Sequence, residues 1–110
     1  MEATREIFVG DIGTVLVIRI WDILESGVKV VVDISTATEK KIKFQKPDKT
    51  VVIKNGTFYT DGKDGKLKYV TESEFLDQPG TWAIEGYIEF PGATQWHTTI
   101  GYFSVKNPLG

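Results

Sequence analysis

The chain has 110 residues, a formal net charge of −2, a single histidine and no cysteine. That length suits one domain of the size of a two-sheet β-sandwich, and the charge supplies no basic face to draw in nucleic acid or an anionic membrane. Without cysteine there are no disulfides, thiolate metal ligands or cysteine nucleophile, and 11 glycines spread along the chain suit many short strands.

Residues 1 to 5 are polar, and termini of that kind are loose unless a sheet ties them down. Nothing in them resembles a secretion signal. Glu6 to Val9 reads as a short first strand, ended by the turn Gly10-Asp11-Ile12-Gly13. Thr14 to Asp22 is the second strand, with Leu16, Ile18 and Ile20 facing inward and Val17, Arg19 and Trp21 outward. Arg19 sets that phase, because an unpaired guanidinium has no place in an apolar interior. Trp21 is then an exposed tryptophan. The apolar run from Val15 to Trp21, interrupted by Arg19, is too short to span a bilayer.

Ile23 to Gly27 reads as a connection, and Val28 to Ile34 as a β-branched strand. The contiguous valines leave its phase open between a two-sided strand and an edge covered by a partner. Ser35 to Thr38 has the composition of a loop crossing between sheets. Lys40 to Lys46 puts Ile42 and Phe44 inside and Lys41, Lys43 and Gln45 outside, and it ends at Pro47-Asp48. Thr50–Lys54 and Thr57–Thr60 are expected to form a hairpin about Asn55-Gly56, the strongest two-residue hairpin signal.

The most legible stretch runs from Asp61 to Phe90. Two Asp-Gly steps in Asp61-Gly62-Lys63-Asp64-Gly65 supply a tight turn before a strand from Lys66, with Leu67 and Tyr69 on one face. Asp77-Gln78-Pro79-Gly80 turns the next corner. From Trp82 to Phe90, Trp82, Ile84, Gly86 and Ile88 share the inward face while Ala83, Glu85, Tyr87 and Glu89 face out. Pro91-Gly92-Ala93 leads to a last strand, Thr94 to Val105, whose phase changes between Ile100 and Phe103. One extra residue near Gly101-Tyr102, a β-bulge, reconciles the two halves. Residues 106 to 110 form a short loose tail. The sum is an antiparallel β-sandwich of about seven to nine short strands, a single domain over residues 1–110, with no helix beyond one turn near Thr71 to Leu76.

Reacting groups are scarce. His97 lies mid-strand on an outward face, with no serine in a nucleophile-elbow context to serve. Asp61 and Asp64 lack the spacing and terminal Glu of a calcium loop, and turn capping explains both. Glu72, Glu74 and Asp77 share one solvated loop rather than the rigid cleft a glycosidase pair needs. No enzyme, metal or cofactor follows from these residues. Lys40, Lys41, Lys43, Lys46 and Lys49 read as a solvated sheet face and a guard against edge pairing rather than a nucleic-acid site. Trp21 and Tyr87 fall on outward faces, and exposed aromatics of this kind are enriched at protein interfaces and sugar platforms. Trp21, Arg19, Val17, Tyr87 and Trp96 are therefore the candidate interface or ligand residues.

Five segments in order carry a family resemblance: Val9-Gly10-Asp11-Ile12-Gly13-Thr14, Val32-Asp33-Ile34-Ser35, Phe44-Gln45-Lys46-Pro47-Asp48, Thr60-Asp61-Gly62-Lys63-Asp64-Gly65-Lys66 and Leu76-Asp77-Gln78-Pro79-Gly80-Thr81-Trp82. Together they resemble the immunoglobulin-like domains of tailed-bacteriophage virions, and the N-terminal domains of baseplate upper proteins in particular. Lys49 departs from the pattern, standing where such domains usually carry the Gly of a Pro-Asp-Gly turn, and Thr36 stands where a Gly often follows the Ser. The resemblance implies an immunoglobulin-like sandwich that is a non-enzymatic building block of the virion and attaches one component to another. The first expectation is therefore an adaptor at tail, baseplate or capsid that docks on other virion proteins and, from its small size, on copies of itself. A second expectation is a carbohydrate-binding module for host adhesion, with Trp21, Tyr87 and Trp96 stacking on a host-surface glycan.

Overall fold

Among the described residues, the alternation of apolar and polar side chains between glycine-rich turns yields eleven short strands: β1 (Ile7–Phe8), β2 (Val15–Arg19), β3 (Trp21–Ile23), β4 (Lys29–Val31), β5 (Glu39–Gln45), β6 (Val51–Asn55), β7 (Thr57–Phe58), β8 (Lys66–Val70), β9 (Gly80–Phe90), β10 (Thr94–His97) and β11 (Gly101–Lys106). The structure is a computed structural model that describes residues 6–23, 25–92, 94–97 and 100–108, with the backbone alone for Asp22, Ile23, Thr94 and Trp96. Among the described residues there is no helix. None is therefore long and apolar enough to cross a membrane.

Two sheets make the sandwich. The larger has the order β1-β11-β9-β5-β6, with β10 also on β9, and the smaller has the order β2-β8-β7. These are the strand neighbours of an immunoglobulin domain, in which the second, fifth and fourth strands form one sheet and the third, sixth and seventh the other. β3 and β4 form a separate two-stranded ribbon between β2 and β5. The pairings are antiparallel except for β1, which runs parallel to β11 with Ile7 opposite Val105. From β1 the chain crosses to the smaller sheet through residues 9–14.

β9 is the spine of the larger sheet. Its 11 residues bury Trp82, Ile84, Gly86 and Ile88 in strict alternation, as the period-2 pattern dictates. β5 pairs along one side from Glu39–Glu89 to Gln45–Ala83, and β10 then β11 pair along the other. His97 stands opposite Tyr87 and Gly101 opposite Ile84, so the register against β9 shifts by one residue between β10 and β11, in keeping with the expected change of phase. The strand then runs on through Lys106, whose Nζ meets Glu6 Oε1 at 2.6 Å.

The core joins the sheets through aromatic rings. Phe44 of β5 packs at 5.5 Å from Tyr69 of β8 and edge-on at 4.9 Å from Phe75. Trp82 lies 5.6 Å from Phe75 and 5.7 Å from Phe103, and its indole N–H donates to the Gln78 carbonyl at 3.0 Å. A buried Trp with a satisfied N–H keeps its full apolar contribution, about 2–3 kcal/mol by area. Phe75 and Leu76 belong to a turn rather than a strand, yet both are buried.

Three expectations are corrected. Asn55-Gly56 is not a hairpin turn, because β6 pairs with β5 in the larger sheet while β7 pairs with β8 in the smaller. Gly56 is instead the crossing point, its N–H donating to the Lys40 carbonyl at 2.8 Å, and a Cβ there would stand 3.2 Å from Ile42 and 3.4 Å from Leu67. Close packing between the sheets, rather than turn conformation, calls for the glycine. The lysine-rich strand is no edge either, since β5 is paired on both sides, so its lysines do not guard an edge. The 28–34 segment forms only a three-residue strand, all of it exposed, before Ile34 drops into the core.

Candidate docking surface

β2 and β3 are one extended stretch interrupted at Ile20. There the N–H donates to the Gly65 carbonyl at 2.8 Å, and the carbonyl accepts from Val32 N–H at 3.2 Å. One flank of the stretch is thus covered first by β8 and then by β4. Gly65 makes the junction possible with φ of +70°, and a Cβ on it would lie 2.8 Å from the Val32 carbonyl oxygen. The inward row Leu16 and Ile20 is buried, and the expected outward row Val17, Arg19 and Trp21 is on the outer face, with Trp21 42% exposed.

That outer face mixes cations with apolar side chains. Ladder partners share a face, which sets Val15 beside Val70, Val17 beside Lys68 and Arg19 beside Lys66. The Arg19 guanidinium carbon sits 5.2 Å from the centre of the Trp21 ring, and Lys29 Nζ sits 5.9 Å from it. Such stacking contributes about 0.5–1 kcal/mol at exposed sites and orients the arginine. Arg19 Nε is buried with no hydrogen-bond partner among the described residues. A buried donor left unpaired is unfavourable by about 1–3 kcal/mol, so it stands ready for an acceptor.

Tyr87 lies elsewhere. It projects from β9 on the outer face of the larger sheet, where its O–H donates to Glu89 Oε2 at 3.1 Å and its ring faces His97 at 5.2 Å. Desolvation, and after it Glu89, pushes the phenol pKa up. Because the inner faces of the two sheets meet at Phe44 and Tyr69, Trp21 and Tyr87 occupy opposite sides of the sandwich. They share no platform. Trp96 stands opposite Ile88 in the β10–β9 ladder, and the expectation for its side chain lies outside the described residues.

Asp61, Asp64, Glu72 and Asp77 are engaged in structure. Asp61 and Asp64 accept the backbone N–H groups of Lys63 and Lys66, each at 3.0 Å, and Thr60 donates to Asp64 at 2.8 Å. Glu72 accepts the Tyr69 hydroxyl at 2.8 Å, and burial followed by this carboxylate raises the Tyr69 pKa. Asp77 pairs with Lys46 at 2.9 Å. Among the described residues no group of three or more His, Cys, Asp or Glu is placed to hold a metal ion. Lys66, Lys68 and Lys29 were not singled out by sequence reasoning. Their place on the Arg19 face depends on strand register, which no local signal fixes.

The arrangement defines an immunoglobulin-like domain that presents protein surface. The family model of the BppU N-terminal domain, the baseplate upper protein domain, matches residues 22–105, and the chain belongs to that family. It is a structural protein of the phage baseplate and a component of the virion. The match begins after β1 and β2. No curated protein and no solved structure matches the chain.

Proposed function

We propose that the chain is a non-enzymatic adaptor of the baseplate, which joins other virion proteins, and copies of itself, by docking through exposed sheet surface. The observation that carries this reading is the outer face of the smaller sheet, where Val15, Val17, Trp21 and Val70 stand among Arg19, Lys66 and Lys68. Interfaces favour this combination of an aromatic, an arginine and aliphatic side chains. The face has an apolar centre for affinity and like-signed charge for choice of partner.

Cosedimentation tests the reading. Purified protein mixed with tails assembled without it is expected to pellet with them, and light scattering of the protein alone reads its own association. A protein that stays in the supernatant and is missing from purified virions would sink the adaptor reading.

A further inference from the structure

Among the described residues, no strand pairs with the flank of β2 that faces away from β8. In the immunoglobulin plan the strand equivalent to β2 is bordered by the first strand of the domain. Here the first described strand, β1, is paired with β11 in the other sheet, and among the described residues β2 is paired with β8 alone.

The hydrogen-bond phase tells which groups are unused. Ile20 donates to Gly65 and Thr71 donates to Thr14, so the even-numbered residues 14, 16, 18 and 20 make the bonded pairs with β8. The N–H and C=O of Val15, Val17 and Arg19 therefore point away from the sheet. Among the described residues no hydrogen bond reaches them. Ile18 agrees, since it belongs to the inner row and is still only partly buried, whereas Leu16 and Ile20 are fully covered.

We propose that this flank receives an extended segment of another baseplate polypeptide as an added antiparallel or parallel strand, and that the segment alternates apolar side chains with carboxylates. The added strand takes the main-chain bonds of Val15, Val17 and Arg19. Its side chains on the outer face continue the rows of β2 and β8. Those rows hold Arg19, Lys66 and Lys68 and no carboxylate, so acidic residues are the complementary choice. A carboxylate beside Arg19 also supplies the acceptor its buried Nε lacks. The apolar residues of the segment cover Ile18 on the inside.

Among the described residues the larger sheet has an open flank too, at β6, and it is defended. Lys54 lies on the inner row opposite Ile42, with its Nζ 3.8 Å from Glu72, and an inward charge at an edge discourages pairing. The described inner row of β2, from Thr14 to Ile20, has no charge.

This proposal rests on the adaptor reading, and its test separates the two. The probe is tails assembled without this protein. Val17→Pro removes only an outward N–H, leaving the β8 ladder intact while blocking an added strand. Arg19→Glu reverses the charge, and Ile53→Pro makes the equivalent change on β6. Wild type and Ile53→Pro are expected to bind alike, whereas Val17→Pro and Arg19→Glu each lose tenfold or more. Amide exchange on the complex should slow at Val15, Val17 and Arg19 and stay unchanged at Val51 and Ile53. If wild type binds but Arg19→Glu, confirmed folded by its melting curve, binds as well, the edge proposal falls and the adaptor reading stands. Failure of wild type to bind overturns both. Slow exchange at β2 in the isolated protein, with a mass above the monomer, would make the occupant a second copy and overturn the proposal.

Discussion

The open flanks of the two sheets are built from similar sequences, Val15-Leu16-Val17-Ile18-Arg19 and Val51-Val52-Ile53-Lys54-Asn55, and they are left in different states. On β6 the charge falls at an even position and points inward, where Glu72 meets it at 3.8 Å. On β2 it falls at an odd position and points outward, stacked on Trp21 at 5.2 Å. A shift of one residue in the placement of a cation turns a guarded edge into one that offers charge to a partner. Edge chemistry is thus set by the parity of single residues, not by composition.

Both flanks hang on one core, so the comparison breaks most completely there. Trp82→Ala removes the ring that Phe75 and Phe103 pack against, and a loss of about 3–5 kcal/mol is expected. Denaturant titration measures it, and amide protection in β2 and β6 should fall together. Protection lost in one sheet alone would mean that the sheets are separate cooperative units. Gly65→Ala acts on the smaller sheet. Its φ of +70° and the 2.8 Å approach of the Val32 carbonyl oxygen leave no place for a methyl group, and about 2 kcal/mol should be lost. The β3–β4 amides should exchange first, and unchanged stability would show that the junction relaxes freely.

Lys49→Gly sharpens the comparison on the other side. Lys49 has φ of +76° in the β5–β6 turn, where its N–H bonds to the Lys46 carbonyl at 2.8 Å. A lysine there carries strain that glycine lacks, so the substitution should raise stability by about 1 kcal/mol. A lower melting temperature would count against the strain. The resemblance drawn from the sequence expects a glycine at this position, and the positive φ of Lys49 is the conformation that glycine adopts without strain.

Strand phases were legible wherever one charge fixed them, as Arg19 did for β2 and Glu85 with Glu89 did for β9. Asn55-Gly56 shows where local reading ends: the pair is the strongest of hairpin signals, yet Gly56 answers to Ile42 and Leu67 from two different sheets. Phe75 was likewise lost in an acidic loop, since its burial depends on Phe44 and Trp82 arriving from elsewhere. The outward faces of Trp21 and Tyr87 could be read from alternation. That they lie on opposite sides could not, because it follows from which sheet each strand joins.

The smallest effect is expected in acid, and it touches both sheets at once. Asp48 is held below the usual aspartate range first by the Thr50 backbone N–H and then by side-chain bonds to Thr50 and Gln78. Asp64 is held there chiefly by the Lys66 N–H. A carboxyl with a depressed folded pKa binds fewer protons folded than unfolded, so its contribution is complete above the unfolded pKa, near pH 4, and is lost as pH falls through the folded value. Stability should hold between about pH 7 and pH 5 and decline below about pH 4. Asp48→Asn and Asp64→Asn keep an acceptor oxygen without the charge, and each should flatten that decline in denaturant midpoints taken across the acid range. Should Asp48→Asn alone flatten it, the ionised turn would matter only to the β5–β6 hairpin, and the flank of β2 would keep its shape at any pH where the core survives.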